Sequence, residues 1–242
     1  MNYFIIGDVH GCFYTLLNIL TNRRNTDYLI FVGDYIDRGL FPHKTIQLLE
    51  EIIDSHNGTL VMGNHDYYYS KFISGIPSIQ EAFLKNDFEL TRFILDQNGI
   101  FDQDMHRFIS KLHFVFDRKN FSVSHAGISL DVKAKLTEYP EIINSSYFTI
   151  KENLNSIYGY GKYKFLHENL ILNRELPDNI GKLQIHGHTP LMCCNPVFYP
   201  KINCWNLDTG AFLGWGMSAI RIDEEGKMLD NYFVETDLRD VY

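Results

Sequence analysis

Six short apolar segments of this chain each run directly into a motif rich in Gly, Asp, Asn or His. In chain order, the motifs are GDVHG, GDYIDRG, GNHD, SHAG, HGHT and LDTG. The apolar segments, such as Tyr3 to Ile6, are typical of strands, and segments with helical apolar spacing, such as Phe13 to Leu20, lie between the first motifs. Strands that alternate with amphipathic helices predict βαβ units in which both faces of the sheet are covered.

The residues that follow these predicted strands form a candidate metal site. In open α/β sheets the ligand crevice lies at the carboxyl ends of the strands, so polar side chains from several strands converge there. The residues expected to converge are Asp8, His10, Asp34, Asn64, His125 and His188. Carboxylate, amide and imidazole ligands suit Mn, Fe or Zn better than Ca²⁺. The set is too large for one tetrahedral site, so it predicts two ions that share one carboxylate, as in two-metal hydrolysis of phosphate esters.

Composition and charge exclude several other classes. The chain has 22 Lys and Arg against 30 Asp and Glu, a net charge of −8, which argues against general binding of nucleic acid. Its 45% of hydrophobic residues is typical of a packed globular chain. The N-terminal apolar run is too short for a secretory signal or a membrane span. The four cysteines show no CxxC spacing and are expected to be reduced, which favours a cytoplasmic protein.

The middle of the chain differs from the rest. The segment from about residue 67 to residue 111 has no strand-like run, and its apolar residues follow helical spacing. No repeat and no linker divides the chain. We therefore expect one domain over residues 1–242, with a cap-like helical segment at about 67–111.

GDVHG, GDYIDRG and GNHD, with His125 of SHAG and His188 of HGHT, resemble the signature motifs of calcineurin-like metallophosphoesterases. The GDxxDRG form resembles the phosphoprotein phosphatase branch, in particular its short bacterial and phage Ser/Thr protein phosphatases. The resemblance extends from Gly7 to about Gly210. It implies an α/β fold of four layers, with a central two-sheet β sandwich flanked by helices and a dimetal site at the strand ends.

The resemblance also implies a role for each motif residue. The first metal would be held by Asp8 and His10, the second by Asn64, His125 and His188, and both by the bridging Asp34. Mn is the expected metal, with Fe or Zn as alternatives.

His65 would be the general acid, and Asp37 would orient its imidazole. Arg38 and Arg174 would bind the substrate phosphate. The chain departs from the family pattern at Leu172, where a Trp is usual two residues before the second Arg, and at Pro190, where wider relatives have a second His.

Three functions fit this pattern. The first is hydrolysis of phosphoserine or phosphothreonine in proteins, by direct attack of a metal-bridging hydroxide with His65 as acid. The second is symmetrical hydrolysis of diadenosine tetraphosphate, which GNHD and LDTGAFLGWGMSAI favour and which Asp37 and Arg38 disfavour. The third is an inactive binding scaffold, which the presence of His65 and every expected ligand disfavours. The substrate is therefore expected to be a phosphoprotein or a phosphorylated small molecule, with no nucleic acid or membrane as partner.

Overall fold

The computed structural model describes residues 1–55, 57–76, 79–147 and 169–241, and residues 79–83 only as part of a helix. It contains two five-stranded sheets and helices that cover them. The strands are β1 Asn2–Ile6, β2 Asp27–Phe31, β3 Gly58–Leu60, β4 Val115–Asp117, β5 Phe121–Ser124, β6 Leu183–His186, β7 Val197–Tyr199, β8 Cys204–Asn206, β9 Gly216–Ile222 and β10 Met228–Glu235. The helices are α1 Phe13–Leu20, α2 Pro42–Asp54, α3 Asn64–Ile73, α4 Ile79–Gln97, α5 Asp102–Ser110 and α6 Leu130–Glu138.

The first sheet has the order β10-β9-β1-β2-β3. Strands β1, β2 and β3 are parallel, with Asn2 opposite Asp27 and Ile6 opposite Phe31. β9 pairs antiparallel with β1, and β10 pairs antiparallel with β9 to form the edge. The parallel part corresponds to the βαβ units that the sequence predicts, with α1 and α2 as the crossover helices. The carboxyl ends of these three strands consequently lie at one edge.

The second sheet has the order β4-β5-β6-β8-β7. Its strands β5, β6 and β8 are parallel, so the motifs SHAG, HGHT and LDTG also follow the same ends of neighbouring strands. β7 is a short antiparallel edge strand that the sequence pattern did not predict. β4 and β5 form an antiparallel hairpin, with Val115 opposite Ser124.

The two sheets pack face to face through apolar residues of β1, β2, β5, β6 and β8. In β1, Tyr3 and Ile5 point between the sheets, and the ring of Tyr3 lies 4.9 Å from that of Phe121. The alternate residues Phe4 and Ile6 belong to the second core, which the helices cover. Both faces of the strand are therefore buried, as the continuous apolar run predicts, and the predicted two-sheet α/β sandwich flanked by helices is confirmed.

Three helices occupy the predicted helical segment at about 67–111. α3 begins directly at Asn64, so the GNHD motif forms its first turn, and the Asp66 carboxylate accepts a hydrogen bond from the Gly63 N–H at 3.0 Å. α4 and α5 pack against α3. The role of this segment as a cap stays a prediction. Among the described residues, no helix is long and apolar enough to cross a membrane.

Candidate active site and metal centre

The loops after the strands turn unusually sharply. Eight non-glycine residues of the described chain have positive φ, and five of them belong to the predicted site. These five are His10 (47°), Asp34 (53°), Asp37 (66°), Arg38 (72°) and His188 (71°). Such conformations cost about 1–3 kcal/mol each and persist only where the surroundings enforce them, often at functional sites.

Asp34 lies at the centre of the site and is buried. Its Oδ2 atom is 3.5 Å from Nε2 of His10 and 3.4 Å from Nε2 of His125. Its Oδ1 atom accepts a hydrogen bond from the backbone N–H of His65 at 3.0 Å. Asp34 is shared by two clusters of potential metal ligands, one with His10 and His65 and the other with His125 and His188.

Asn64 joins the second cluster. Its Oδ1 atom lies 3.1 Å from Nε2 of His125 and 2.9 Å from Nδ1 of His188. The same two imidazole nitrogens are 3.2 Å apart. Three ligand atoms from the ends of three strands thus face one small volume.

The hydrogen bonds on the far side of the imidazoles fix which atoms face this volume. Nδ1 of His125 donates to the carbonyl oxygen of Val32 at 3.0 Å, and Nδ1 of His10 donates to that of Ile36 at 3.0 Å. In the neutral rings, each Nε2 atom therefore presents a lone pair to the Asp34 carboxylate. Lone pairs that face one another at these distances repel unless a cation lies between them, so the donor set fits a divalent metal on each side of Asp34.

The electrostatics of the site agree with this fit. Burial lowers the pKa values of His10 and His188 to about 3 each, so both rings are neutral and able to bind metal at physiological pH. Burial also disfavours the charged form of His125, but the carboxylate of Asp34 outweighs it and raises the pKa of His125 to about 9. A divalent cation bound beside Asp34 would compete with a proton on His125, since metal ligands must be deprotonated.

Asp8 lies beside the two clusters. Both of its carboxylate oxygens accept a hydrogen bond from the backbone N–H of His188, at 3.2 and 3.1 Å. Burial and the charge of Asp208 raise the pKa of Asp8. Burial likewise raises the pKa of Asp208 to about 6. A bound cation would relieve this repulsion between buried carboxylates.

His65 and Asp37 form a buried pair. Nδ1 of His65 lies 2.7 Å from Oδ2 of Asp37. Burial alone would lower the pKa of His65, but Asp34 and Asp37 outweigh it and raise that pKa. A nitrogen of His65 also lies close enough to His10 and Asp34 to count among the potential ligands. Since its Nδ1 is held by a carboxylate that supports the protonated ring, the geometry favours a proton donor over a ligand.

A pocket of about 130 Å³ opens above these residues. The guanidinium of Arg38 lies over the ring of Phe212 at 4.5 Å, and the ring of His10 lies 4.7 Å from the same ring between centroids. Nε of Arg38 is also 3.7 Å from the Asp87 carboxylate of α4. Arg174 lines the pocket from the loop after Leu172. Two cationic side chains and four of the predicted metal ligands, His10, Asp34, Asn64 and His188, thus border one space of phosphate size.

Sequence reasoning missed several residues that hold the site. Asp66 accepts hydrogen bonds from the backbone N–H groups of Asp34, Tyr35 and Gly63, each at 3.0 Å, and so ties two motif loops together. Its place at the third residue of α3 is a capping signal that the sequence does show. Asp208 and Phe212 also line the pocket. Asp208 is the Asp of the sixth motif, LDTG, but its residue type alone did not assign it a role, and Phe212 follows that motif with no local pattern that marks it.

Comparison with known protein families agrees with the fold. The sequence model of the calcineurin-like phosphoesterase family matches residues 1–205, and the chain belongs to this family. The predicted family is therefore confirmed. Its members are dimetal phosphoesterases, and the two ligand clusters around Asp34 suit two metals.

Curated relatives include two kinds of enzyme. The chain is 35% identical to the symmetrical bis(5'-nucleosyl)-tetraphosphatase of Psychromonas ingrahamii, over 34% of this chain and 30% of that protein. It is 25% identical to the asymmetrical bis(5'-nucleosyl)-tetraphosphatase PrpE of Oceanobacillus iheyensis, over 91% of this chain and 88% of that protein. It is 40% identical to the serine/threonine-protein phosphatase SIT4 of Candida albicans, over 26% of this chain and 22% of that protein. The matches to the first and third thus span less than a third of those relatives.

Solved structures share the fold. A metallophosphoesterase from Sphaerobacter thermophilus superposes with a TM-score of 0.54 at 13% identity, covering 98% of this chain and 90% of that one. A protein serine/threonine phosphatase from Saccharomyces cerevisiae superposes with a TM-score of 0.56 at 16% identity, covering 98% of this chain and 80% of that one. At such low identity these likenesses concern the fold alone.

Proposed function

We propose that this chain hydrolyses phosphate esters with two divalent cations. One would be held by Asp8, His10 and Asp34, and the other by Asn64, His125 and His188 together with Asp34. The observation that carries the proposal is the position of the Asp34 carboxylate between the Nε2 atoms of His10 and His125, at 3.5 and 3.4 Å. Bound ions would supply Lewis acidity and a water of lowered pKa.

The roles proposed for the other residues follow from their positions. Arg38 and Arg174 would grip the phosphate, and the planar guanidinium of Arg38 can donate to two oxygens at once. His65 would protonate the leaving oxygen, with Asp37 holding the ring and supporting its charged form. The joint presence of acid, ligands and cationic groups supports an active enzyme over a binding scaffold.

For the substrate, we propose first a phosphoserine or phosphothreonine side chain of a protein. The arrangement of Asp37 and Arg38 after the second strand supports it, as does the local similarity to a serine/threonine-protein phosphatase. A dinucleoside tetraphosphate is the second candidate. It is favoured by the similarity to PrpE, which covers 91% of this chain.

The test uses the full chain, stripped with a chelator and reconstituted with Mn²⁺, Fe²⁺ or Zn²⁺ in turn. We would compare kcat/KM for a phosphothreonine peptide, p-nitrophenyl phosphate and diadenosine tetraphosphate. Preferred cleavage of the peptide is the expected result. Preferred cleavage of the dinucleotide would establish the second candidate, and its products, two ADP or ATP plus AMP, would distinguish symmetrical from asymmetrical hydrolysis. No metal-dependent hydrolysis of any of the three would refute the proposal.

Two variants separate the proposed roles. His65→Asn should keep its metals and lose kcat by ~10²–10⁴-fold, the contribution of a positioned proton donor. Asp34→Asn should lose metal and activity together. Full metal content in Asp34→Asn would contradict a bridging role, and loss of both metals in His65→Asn would make that residue a ligand.

A further inference from the structure

Helix α4 reaches the His65–Asp37 pair through its buried face. Phe88, Thr91 and Leu95 lie on this face, and each is at most 2% exposed. The ring of Phe88 packs 5.6 Å from that of Tyr69 and 5.6 Å from that of Phe72, both on α3. Since α3 itself begins at the site, this packing fixes α4 relative to the site.

The hydroxyl of Thr91 donates a hydrogen bond to Oδ1 of Asp37 at 2.6 Å. The other carboxylate oxygen of Asp37 is the one that contacts Nδ1 of His65, at 2.7 Å. Asp37 is fully buried, so its carboxylate plane is set by these two partners. A helical Thr commonly bonds a carbonyl of its own helix. The hydroxyl of Thr91 instead reaches a residue 54 positions away in the sequence.

We propose that Thr91 is a positioning residue for the general acid. Its hydroxyl orients the Asp37 carboxylate, and this carboxylate in turn orients the His65 imidazole so that it can protonate the leaving oxygen. The inference rests on the proposed hydrolytic function. It makes a prediction that a merely structural role does not. The effect of removing the hydroxyl grows with the basicity of the leaving group, because a strongly basic leaving oxygen needs the proton more in the transition state.

The experiment uses the Mn²⁺-loaded full chain and three aryl phosphates with leaving groups of rising basicity: dinitrophenyl, p-nitrophenyl and phenyl phosphate. Thr91→Val keeps the shape and removes the hydroxyl, whereas Thr91→Ser keeps the hydroxyl. Thr137→Val on the exposed face of α6 is the matched control, since Thr137 donates only to the Lys133 carbonyl of its own helix.

We expect kcat of Thr91→Val to fall about tenfold for phenyl phosphate, a fraction of the ~10²–10⁴-fold that a general acid contributes, and less than about twofold for dinitrophenyl phosphate. Thr91→Ser should restore most of the loss, and Thr137→Val should match the wild type. In a His65→Asn background, Thr91→Val should have no further dependence on the leaving group, since the two residues act in one chain.

Equal losses on all three substrates, or a loss that Thr91→Ser does not restore, would overturn the inference in favour of a structural role. Wild-type rates in Thr91→Val would also overturn it. Thermal melting and metal analysis accompany each variant. Should Thr91→Val not fold, Thr91→Cys, with a weaker donor of similar size, must show the same ranking of substrates. Failure of the proposed function itself is distinguishable, because the wild-type protein would then hydrolyse none of the three esters.

Discussion

Gly187 offers a direct test of the position assigned to Asp8. It follows β6, and its N–H donates to the carbonyl oxygen of His125 at 2.9 Å. A Cβ atom at Gly187 would overlap Oδ1 of Asp8, and it would lie 3.0 Å from the Asp8 carboxyl carbon and 2.8 Å from Cγ2 of Val32. The backbone of Gly187 does not have positive φ, so the effect of Gly187→Ala is steric.

The distance by which the Asp8 carboxyl group must move determines how far the activity should fall. Carbon atoms in good contact lie ~3.5–4.0 Å apart, so the carboxyl carbon of Asp8 must retreat by about 0.5–1 Å. A displacement of ~1 Å at a catalytic position costs about 10²-fold in rate. We therefore expect Gly187→Ala to lower kcat/KM by up to about 100-fold and to retain one equivalent of metal in place of two.

Metal analysis by mass spectrometry, steady-state kinetics and thermal melting measure this outcome. Gly181→Ala is the matched control, because Gly181 precedes the same strand and a Cβ there meets nothing within 4 Å. Its positive φ of 84° predicts a cost of about 1 kcal/mol, with wild-type activity and metal content. Folded Gly187→Ala protein with two metals and wild-type kcat/KM would refute the assignment of Asp8.

Three further outcomes follow from the same geometry. Arg38→Lys should lower kcat/KM about 10- to 100-fold and weaken product inhibition by phosphate, because lysine keeps the positive charge but lacks the planar guanidinium that binds two oxygens and stacks on Phe212. Unchanged inhibition by phosphate would contradict a contact between Arg38 and the phosphate. Asp66→Asn should destabilise the protein by about 3 kcal/mol, or ~6–12 °C in melting temperature, because one amide oxygen cannot accept all three backbone hydrogen bonds that the carboxylate accepts. A melting temperature equal to that of the wild type would contradict this stabilising role of Asp66. Burial lowers the pKa of His113 from its usual 6.5, so below that pH the unfolded chain binds more protons than the folded protein, and folding stability is lost as pH falls. The melting temperature of the wild type, measured relative to that of His113→Gln, should therefore decline from about pH 7.5 to about pH 5. A difference in melting temperature that stays constant over this range would contradict the lowered pKa.

The sequence was informative wherever function and local structure coincide. The strand that ends at Ile6 and the motif that follows it are contiguous, so one pattern predicts both the element and the polar residues at its end. The same holds for α3, whose first turn is the GNHD motif. The edge strand β7 was missed because its three residues, from Val197 to Tyr199, are too few and too exposed to show a period.

Contacts between distant segments could not be predicted in this way. Thr91 has no motif around it, and its relation to Asp37 exists only because Phe88 docks α4 on α3. Phe212 likewise contacts Arg38 and His10 because β9, which follows it, pairs with β1 from the other end of the chain. Such residues support a site through tertiary packing, and a single sequence carries no periodic signal for it.

The positive φ angles show why the strained loops persist. The N–H of His10 donates to the carbonyl oxygen of Asp34 at 2.8 Å, and the N–H of Gly39 donates to that of His10 at 2.9 Å. The loop after β1 and the loop after β2 are therefore hydrogen-bonded to each other, and Asp66 ties the second of them to α3. Each loop holds its neighbour in a conformation that neither sequence favours alone. The geometry of the ligands is thus a property of the assembled loops, and a substitution that loosens one of them should disturb metal binding on both sides of Asp34.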